Sequence, residues 1–242
     1  MNRIGRWLSA VASGVFLAGG CIAAAGQASA DSCADVQVVF ARGTFEPPGV
    51  GGVGEAFTDA LRAKAGGKSV DVYAVNYPAS LDFATAADGV ADASNKVQAT
   101  VAACPDSKIV LGGFSQGAAV AAYLTEDAVP QGFVLPPSIT GPLPAEVADH
   151  VAAVALFGKP SSGFLQMIYT GAPPITVGPR YVAKTDDLCI PEDPVCSPTG
   201  GDSNAHNLYA ANGLTDQAAD YVVSRLNGQR SNRSVDQAAG HR

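Results

Sequence analysis

The most constraining feature of the sequence is an apolar run that ends in two glycines and leads directly into an alanine-rich stretch. Residues 108–113 predict a short buried β-strand, and residues 116–125 predict a helix. The pentapeptide GFSQG at residues 113–117 joins them and has the form G-x-S-x-G. In this context the motif holds its serine on a strained turn at a helix N-terminus, where free N–H groups favour developing negative charge. Ser115 is therefore a candidate nucleophile.

Strand and helix patterns alternate along most of the chain. Apolar runs predict strands at residues 36–40, 70–75, 108–113, 151–157 and 179–184. Helical spacing of apolar residues predicts helices at residues 53–65, 85–103, 116–125 and 204–227. Strands that are apolar throughout belong to sheets covered on both faces. The pattern predicts one α/β domain over residues 31–228, with a central five-stranded parallel sheet flanked by helices.

Composition supports a folded core and argues against nucleic acid as a partner. The chain is 47% hydrophobic and only 15% charged, which excludes intrinsic disorder for the chain as a whole. The formal net charge is −7, whereas phosphate binding requires clustered Lys and Arg. Residues 229–242 are polar and predict a disordered tail.

The first 30 residues have the pattern of a cleaved secretory signal. Two arginines precede an apolar stretch over residues 7–25, and the small-residue sequence ASA follows at residues 28–30. The stretch is diluted by Gly and Ala, which favours cleavage after Ala30 over a membrane anchor, and the residues before Cys21 do not favour a lipoprotein. Cleavage leaves 13 basic and 22 acidic side chains, a net charge of −9. We expect an extracellular protein, free or retained at the cell envelope, without stable membrane insertion.

Four cysteines remain after cleavage: Cys33, Cys104, Cys189 and Cys196. An even number in an exported chain predicts two disulfides, for which three connectivities exist. The short Pro-containing segment between Cys189 and Cys196 favours a bond between those two, which leaves Cys33 with Cys104. The C-x6-C spacing, without a nearby pair of histidines, does not fit the common zinc patterns, so no metal is expected.

A serine nucleophile needs a general base, which is usually a histidine. The chain has three histidines: His150, His206 and His241. The chain order that accompanies the G-x-S-x-G motif is serine, then acid, then histidine. That order selects His206, because His150 precedes every candidate acid and His241 lies in the polar tail.

The acid that orients the base must lie between Ser115 and His206. The candidates are Asp186, Asp187, Glu192, Asp193 and Asp202. We expect Asp193 to serve, because the second cysteine pair and two flanking prolines restrict the backbone around it. Asp187 and Glu192 remain alternatives, while the Asp186–Asp187 pair is expected in a solvated loop.

Four segments together resemble the secreted cutinases and the bacterial cutinase-like serine esterases of the α/β-hydrolase superfamily. They are FARGTFE at residues 40–46, GFSQG at 113–117, CIPEDPVC at 189–196 and HNLY at 206–209. The resemblance implies a small α/β-hydrolase fold without a large lid. It also implies a secreted serine carboxylesterase that acts on small-molecule or lipid esters without a cofactor, and we expect the protein to be a monomer.

The resemblance also implies a complete set of site residues. It implies Ser115 as the nucleophile, Asp193 as the orienting acid and His206 as the base. It also implies an oxyanion hole formed by the backbone N–H of Gln116 and by Thr44. The implied disulfides are Cys33–Cys104 and Cys189–Cys196.

The segments around the implied site bear on substrate choice. Residues 197–205 are polar and Gly-rich, and residues 78–83 supply only Leu81 and Phe83 as apolar side chains. Little apolar area is then available to bury against an oil surface, which predicts soluble, short- to medium-chain acyl esters as substrates. Residues 164–169 either line an acyl pocket or pack in the core.

Two other functions are compatible with the sequence. An acyltransferase would use the same three residues, with an alcohol in place of water at the second step. A non-catalytic secreted binding protein could retain the same fold, since fold alone does not guarantee activity.

Overall fold

The computed structural model describes the backbone of residues 33–239 and the side chains of residues 33–228. The predicted signal segment, residues 1–30, lies outside the described residues, as do residues 240–242 of the tail. Within the described part of the chain, no helix combines the length and the apolar character needed to cross a membrane.

A single five-stranded parallel sheet forms the centre of the domain and confirms the predicted α/β class. The strands are β1 (Val36–Ala41), β2 (Val70–Ala74), β3 (Lys108–Phe114), β4 (Val151–Phe157) and β5 (Thr185–Leu188). Their order across the sheet is β2-β1-β3-β4-β5. Because β1, β3 and β4 are neighbours, the loops at their carboxyl ends meet at one edge of the sheet.

Helices cover both faces of this sheet and give it two hydrophobic cores. They are α1 (Gly51–Lys64), α2 (Ala86–Ala103), α3 (Gln116–Leu124), α4 (Val147–His150), α5 (Ser162–Ile168) and α6 (Leu214–Ala239). The helices α1 and α6 pack on one face, and α2 and α3 pack on the other. Successive side chains of β1 enter opposite cores, as the alternation of a strand requires.

Three phenylalanines form the centre of the core beneath α1 and α6. Phe57 of α1 has its ring centroid 6.0 Å from that of Phe40 and 5.6 Å from that of Phe157. All three side chains are completely buried. This cluster fixes α1 against the centre of the sheet, where β1 and β4 end.

The prediction of a strand at residues 179–184 is wrong. The backbone there turns, with the Tyr181 N–H bonded to the Gly178 carbonyl at 2.9 Å, and β5 begins only at Thr185. Tyr181 is buried in the core, so the local apolar signal reflects core packing. The strand itself carries Asp186 and Asp187, which are tolerated because β5 is an edge strand paired only with β4. The expectation of a loop for these two residues is therefore wrong as well, although Asp187 is exposed to solvent as expected.

The predicted last helix is divided in two. A short 3-10 helix at Ala205–Asn207 is separated from α6 by a turn at Gly213, whose φ of +75° belongs to the left-handed region. At its other end α6 continues to Ala239, into the segment for which the sequence predicts disorder. No proline interrupts the chain over residues 229–239, so nothing in the local sequence stops the helix there.

Replacing the central ring tests the importance of the phenylalanine cluster. Phe57→Ala should lower the free energy of unfolding by about 3–5 kcal/mol in a denaturant titration, because it leaves a cavity in the core. Phe45→Ala is the matched control, since the Phe45 ring is 73% exposed, and it should change stability by less than about 0.5 kcal/mol. Equal losses in both variants would contradict this description of the core.

Candidate active site

Ser115 occupies a sharp turn between β3 and α3 at the carboxyl edge of the sheet. Its backbone has φ 55° and ψ −120°, a conformation that non-glycine residues rarely adopt. The Ser115 N–H donates to the Phe157 carbonyl at 2.8 Å, which fastens the turn to the end of β4. The side chain is partly exposed at the start of α3, as the sequence predicts.

The two glycines of the motif allow backbone contacts that no side chain would permit. A Cβ atom on Gly113 would collide with the carbonyl of Gly117, and one on Gly117 would collide with the carbonyl of Ala41 at the end of β1. The turn is therefore packed between its own helix and the neighbouring strand. This close packing holds Ser115 in its strained conformation.

Asp193 lies in a small ring closed by the Cys189–Cys196 disulfide. The backbone of Asp193 is fixed by hydrogen bonds on both sides, from its N–H to the Ile190 carbonyl and from the Ser197 N–H to its carbonyl, each at 2.9 Å. The carboxylate is completely buried, and its Oδ1 accepts the Val195 N–H at 2.9 Å. The second disulfide, Cys33–Cys104, also forms as predicted.

The remaining oxygen of Asp193 contacts His206. The His206 Nδ1 lies 2.7 Å from Asp193 Oδ2, in the geometry of a charge-assisted hydrogen bond. The imidazole is 17% exposed, so one edge of the ring faces solvent while the other faces the buried acid. The carboxylate fixes the tautomer with a proton on Nδ1, which leaves Nε2 free to accept a proton.

Residues beside Ser115 on both strands contact the His206 ring. The Phe114 ring, directly before Ser115, stacks on the imidazole with centroids 4.7 Å apart. Gly158 follows Phe157, whose carbonyl binds Ser115, and a Cβ at Gly158 would lie only 3.1 Å from His206 Cε1. The Asp193–His206 pair therefore lies against the residue that precedes Ser115 and against the end of β4, to which the Ser115 N–H is bonded.

A buried arginine organises the loop that carries Thr44. The Arg42 guanidinium is 5% exposed and donates to the carbonyls of Glu46 at 2.8 Å and Tyr77 at 2.7 Å. It lies 5.2 Å from the centroid of the Tyr77 ring, close enough for a cation–π contact. These contacts connect the loop after β1 with the segment after β2.

Glu46 closes the same loop from its other end. Its carboxylate accepts the Gly43 N–H at 2.6 Å and the Gly52 N–H at 2.8 Å, at the start of α1. Phe45, with φ 65°, donates its N–H to the Ala79 carbonyl at 2.8 Å. Thr44 is thus held between Gly43 and Phe45, whose N–H groups are both hydrogen-bonded.

Gln116 connects the serine turn to the segment around Ser80. Its side chain is 1% exposed and donates from Nε2 to the Ser80 carbonyl at 2.9 Å. As the first residue of α3, its backbone N–H belongs to the first turn, where helical N–H groups have no partner within the helix. This donor is available for a ligand anion.

The alternative acids and bases lie elsewhere. Asp187 forms an ion pair with Lys159 at 3.3 Å, and Glu192 is exposed. His150 is the last residue of α4, directly before β4 at the amino ends of the strands, where its Nδ1 is 3.1 Å from the Pro105 carbonyl oxygen. His241 lies outside the described residues. Asp186 is half-buried on β5, and burial together with Asp187 raises the pKa of its carboxyl group.

The segments around the cluster differ partly from their sequence interpretation. Residues 197–204 are partly or fully exposed and polar, and Leu81 is 75% exposed, whereas Phe83 is buried. The sequence interpretation omitted Phe45 and Leu208, which are 73% and 39% exposed beside Thr44 and His206. In α5, which covers most of residues 164–169, only Leu165 is fully buried.

Sequence reasoning did not identify three residues that hold the site together: Arg42, Glu46 and Tyr209. The Tyr209 hydroxyl donates to Asp193 Oδ2 at 2.7 Å. All three lie inside the segments that carry the family resemblance. Membership of those segments was their only sequence signal, since none of them has a local pattern that reveals its partner.

Gly117→Ala tests the close packing of the serine turn. The added methyl group would meet a backbone carbonyl, which cannot move aside as a flexible side chain would, so unfolding free energy should fall by about 1–3 kcal/mol or more. Gly163→Ala in α5 is the matched control, because a Cβ there meets no atom within 4 Å. Equal unfolding free energies of the two variants in denaturant titrations would contradict this account.

Comparison with known proteins identifies the family. The Cutinase family pattern matches residues 32–226. Carboxylesterase Culp1 of Mycobacterium bovis is 51% identical over 200 residues, which cover 82% of this chain and 85% of that protein. Probable carboxylesterase Culp5 of Mycobacterium tuberculosis is 55% identical over 172 residues, 71% of this chain and 96% of that protein.

A solved structure supports the same assignment. Trichoderma reesei cutinase in complex with a C11Y4 phosphonate inhibitor matches with a TM-score of 0.58 and 31% identity, over 80% of this chain and 77% of that one. The resemblance inferred from the four sequence segments is confirmed. The chain belongs to the cutinase family of carboxylic ester hydrolases.

Proposed function

We propose that the chain is a secreted serine carboxylesterase that hydrolyses short- to medium-chain acyl esters through an acyl-enzyme on Ser115. The observation that carries this proposal is the completely buried Asp193 bonded at 2.7 Å to His206, whose ring stacks on Phe114, the residue before the strained Ser115. A nucleophile, a base and an orienting acid are the groups that acyl transfer to serine requires.

In the first step His206 takes the proton of the Ser115 hydroxyl as its oxygen attacks the ester carbonyl. Asp193 holds the imidazole in the tautomer that can accept this proton and stabilises the imidazolium that forms. The tetrahedral intermediate then collapses as the protonated His206 gives its proton to the departing alcohol. An acyl-enzyme remains, which a water molecule activated by His206 releases as the acid.

The developing oxyanion is stabilised by donors from two loops. The backbone N–H of Gln116 at the start of α3 is one donor, and Thr44 supplies the other. The hydrogen bonds of Arg42 and Glu46 hold the Thr44 loop before substrate arrives. Loss of a single oxyanion donor typically costs on the order of 10²–10³ in turnover.

The surroundings of the site support a limited acyl chain length. The exposed segment over residues 197–204 is polar, which offers little apolar contact on that side. Leu81, Phe45 and Leu208 are exposed as single apolar side chains on three separate segments. Such small apolar areas can cover the acyl chain of a short- or medium-chain ester but not an extended waxy surface.

Two features of the chain support secretion. The first 30 residues have the order of a signal peptide, and two disulfides staple the domain. Disulfides persist in oxidising compartments outside the cytosol.

Hydrolysis of a series of 4-nitrophenyl esters, from acetate to long acyl chains, tests this proposal. The mature protein should show an optimum at short to medium chains, and Ser115→Ala should reduce kcat by at least about 10³-fold because it removes the nucleophile. Ser224→Ala, on the exposed side of α6, is the matched control and should keep full activity.

The other outcomes of this series separate the alternatives. A long-chain optimum would retain the chemistry and contradict the chain-length argument. Diversion of product to a new ester when an alcohol is added would indicate acyl transfer. A folded protein that neither hydrolyses these esters nor reacts with a phosphonate probe at Ser115 would overturn the proposal in favour of a binding protein.

Arg42→Lys tests the organisation of the oxyanion loop. Lysine keeps the charge but cannot donate in a fork to the Glu46 and Tyr77 carbonyls, so the loop should loosen. We expect kcat to fall on the order of 10–100-fold with little change in KM, because a looser loop stabilises the oxyanion of the transition state less well. The exposed Arg62→Lys in α1 should have wild-type kinetics, and an equal kcat for both variants would contradict the assigned role.

A further inference from the structure

We propose that Tyr209 is a positioning residue that sets how strongly His206 holds its proton, by donating a hydrogen bond to the carboxylate that orients the imidazole. The inference rests on the serine mechanism proposed above and adds a fourth side chain to it. It assigns a chemical role to a tyrosine that was described above only as a residue that holds the site together.

Tyr209 and His206 share one oxygen of the acid. The Tyr209 hydroxyl donates to Asp193 Oδ2 at 2.7 Å, and the His206 Nδ1 lies at the same distance from the same atom. The other oxygen, Oδ1, is occupied by the Val195 N–H at 2.9 Å. The buried carboxylate therefore receives three donors, two of which divide the negative charge on Oδ2.

The hydroxyl of Tyr209 has Asp193 as its strong acceptor, because its other possible acceptor is the disulfide sulfur Cys196 Sγ at 3.4 Å, which accepts hydrogen bonds only weakly. The hydroxyl accepts the Ile190 N–H at 3.4 Å, so its oxygen is occupied from the backbone side. Burial and the neighbouring carboxylate raise the pKa of Tyr209 well above its ordinary value. The phenol thus stays protonated and remains a donor across the working range of an esterase.

Packing fixes the Tyr209 ring independently of its hydroxyl group. The ring is completely buried, with its centroid 5.7 Å from that of Phe114 and 6.2 Å from that of Phe157. Gly158, with φ +59°, leaves room on this side, because a Cβ there would lie 2.8 Å from the Tyr209 oxygen. Phenylalanine at position 209 would keep these ring contacts and lose the hydrogen bonds of the hydroxyl group, the short one to Asp193 and the longer one from the Ile190 N–H.

The consequence for the base follows from the shared charge. Without the phenol, more of the charge on Asp193 Oδ2 is available to stabilise the imidazolium of His206. The imidazole then keeps its proton to higher pH and cannot act as a base there. Charged groups on neighbouring elements do not replace this effect, because Asp187 of β5 is paired with Lys159 at 3.3 Å and Glu192 faces solvent.

The pH dependence of kcat/KM for 4-nitrophenyl butyrate tests this proposal in Tyr209→Phe. The acid limb should move to higher pH by roughly half a unit, and kcat should fall about tenfold with KM within twofold. Tyr123→Phe is the matched control, because the buried Tyr123 hydroxyl donates at 2.6 Å to the Pro173 carbonyl instead of an acid. It loses a comparable hydrogen bond and should keep the wild-type pH profile.

A second measurement does not depend on turnover. In the Ser115→Ala protein, the His206 imidazole can be titrated by NMR, with its signal assigned by its loss in His206→Gln. The titration midpoint should rise when Tyr209→Phe is added. Absence of esterase activity in the wild-type protein would overturn the proposed function, while this titration would still test the coupling between Tyr209 and His206.

A fluorinated tyrosine at position 209 strengthens the hydrogen bond to Asp193 instead of removing it, and it keeps the ring and the hydroxyl group. Its phenol is a stronger donor, so the acid limb and the NMR midpoint should move to lower pH. If the midpoint of the His206 titration is unchanged in both Tyr209 variants, Tyr209 only packs in the core, even where the variants lower Tm. A midpoint that falls in Tyr209→Phe, or one that rises with the fluorinated tyrosine, would also overturn the proposal.

Discussion

The carboxylate of Asp193 is the group on which the site depends. It is completely buried, and a buried charge without partners is destabilising by several kcal/mol. Its three donors come from its own loop, from the 3-10 helix that contains His206, and from Tyr209. One buried charge therefore holds together the disulfide ring and the segment before α6, and neither can move without leaving that charge unpaired.

The order of the strands explains why residues far apart in sequence form one site. β1, β3 and β4 are adjacent and parallel, so the Thr44 loop, the Ser115 turn and Gly158 emerge at the same edge. The glycines of the serine turn bring its backbone against the end of β1, and the Ser115 N–H binds the end of β4. Strain at Ser115 is thus maintained by packing on two neighbouring strands.

Sequence reasoning was most successful where the signal is local. The strand, turn and helix around Ser115 follow from adjacent residues, and the closed ring that contains Asp193 follows from the short spacing of Cys189 and Cys196. Arg42 and Tyr209 were not identified because their partners depend on tertiary structure. The Arg42 guanidinium binds the Tyr77 carbonyl only because β1 and β2 pair, and a backbone carbonyl has no signature in the sequence.

The error at β5 has a physical cause as well. An edge strand buries little of its surface, so residues 185–188 carry two aspartates and lack the apolar run that marks the central strands. The preceding segment contains the buried Tyr181 and therefore gives the stronger apolar signal. Hydrophobic patterns report burial, and at the edge of a sheet burial and strand pairing are separate properties.

The ring closed by Cys189 and Cys196 bears on the cellular compartment in which the protein can be active. Under the proposed mechanism, a chain whose thiols are still reduced has an Asp193 loop with more backbone freedom and a poorly held base. Thiol oxidation then acts as a maturation step that follows synthesis. For the secreted hydrolase proposed above, this means low activity in a reducing compartment and full activity only in an oxidising one.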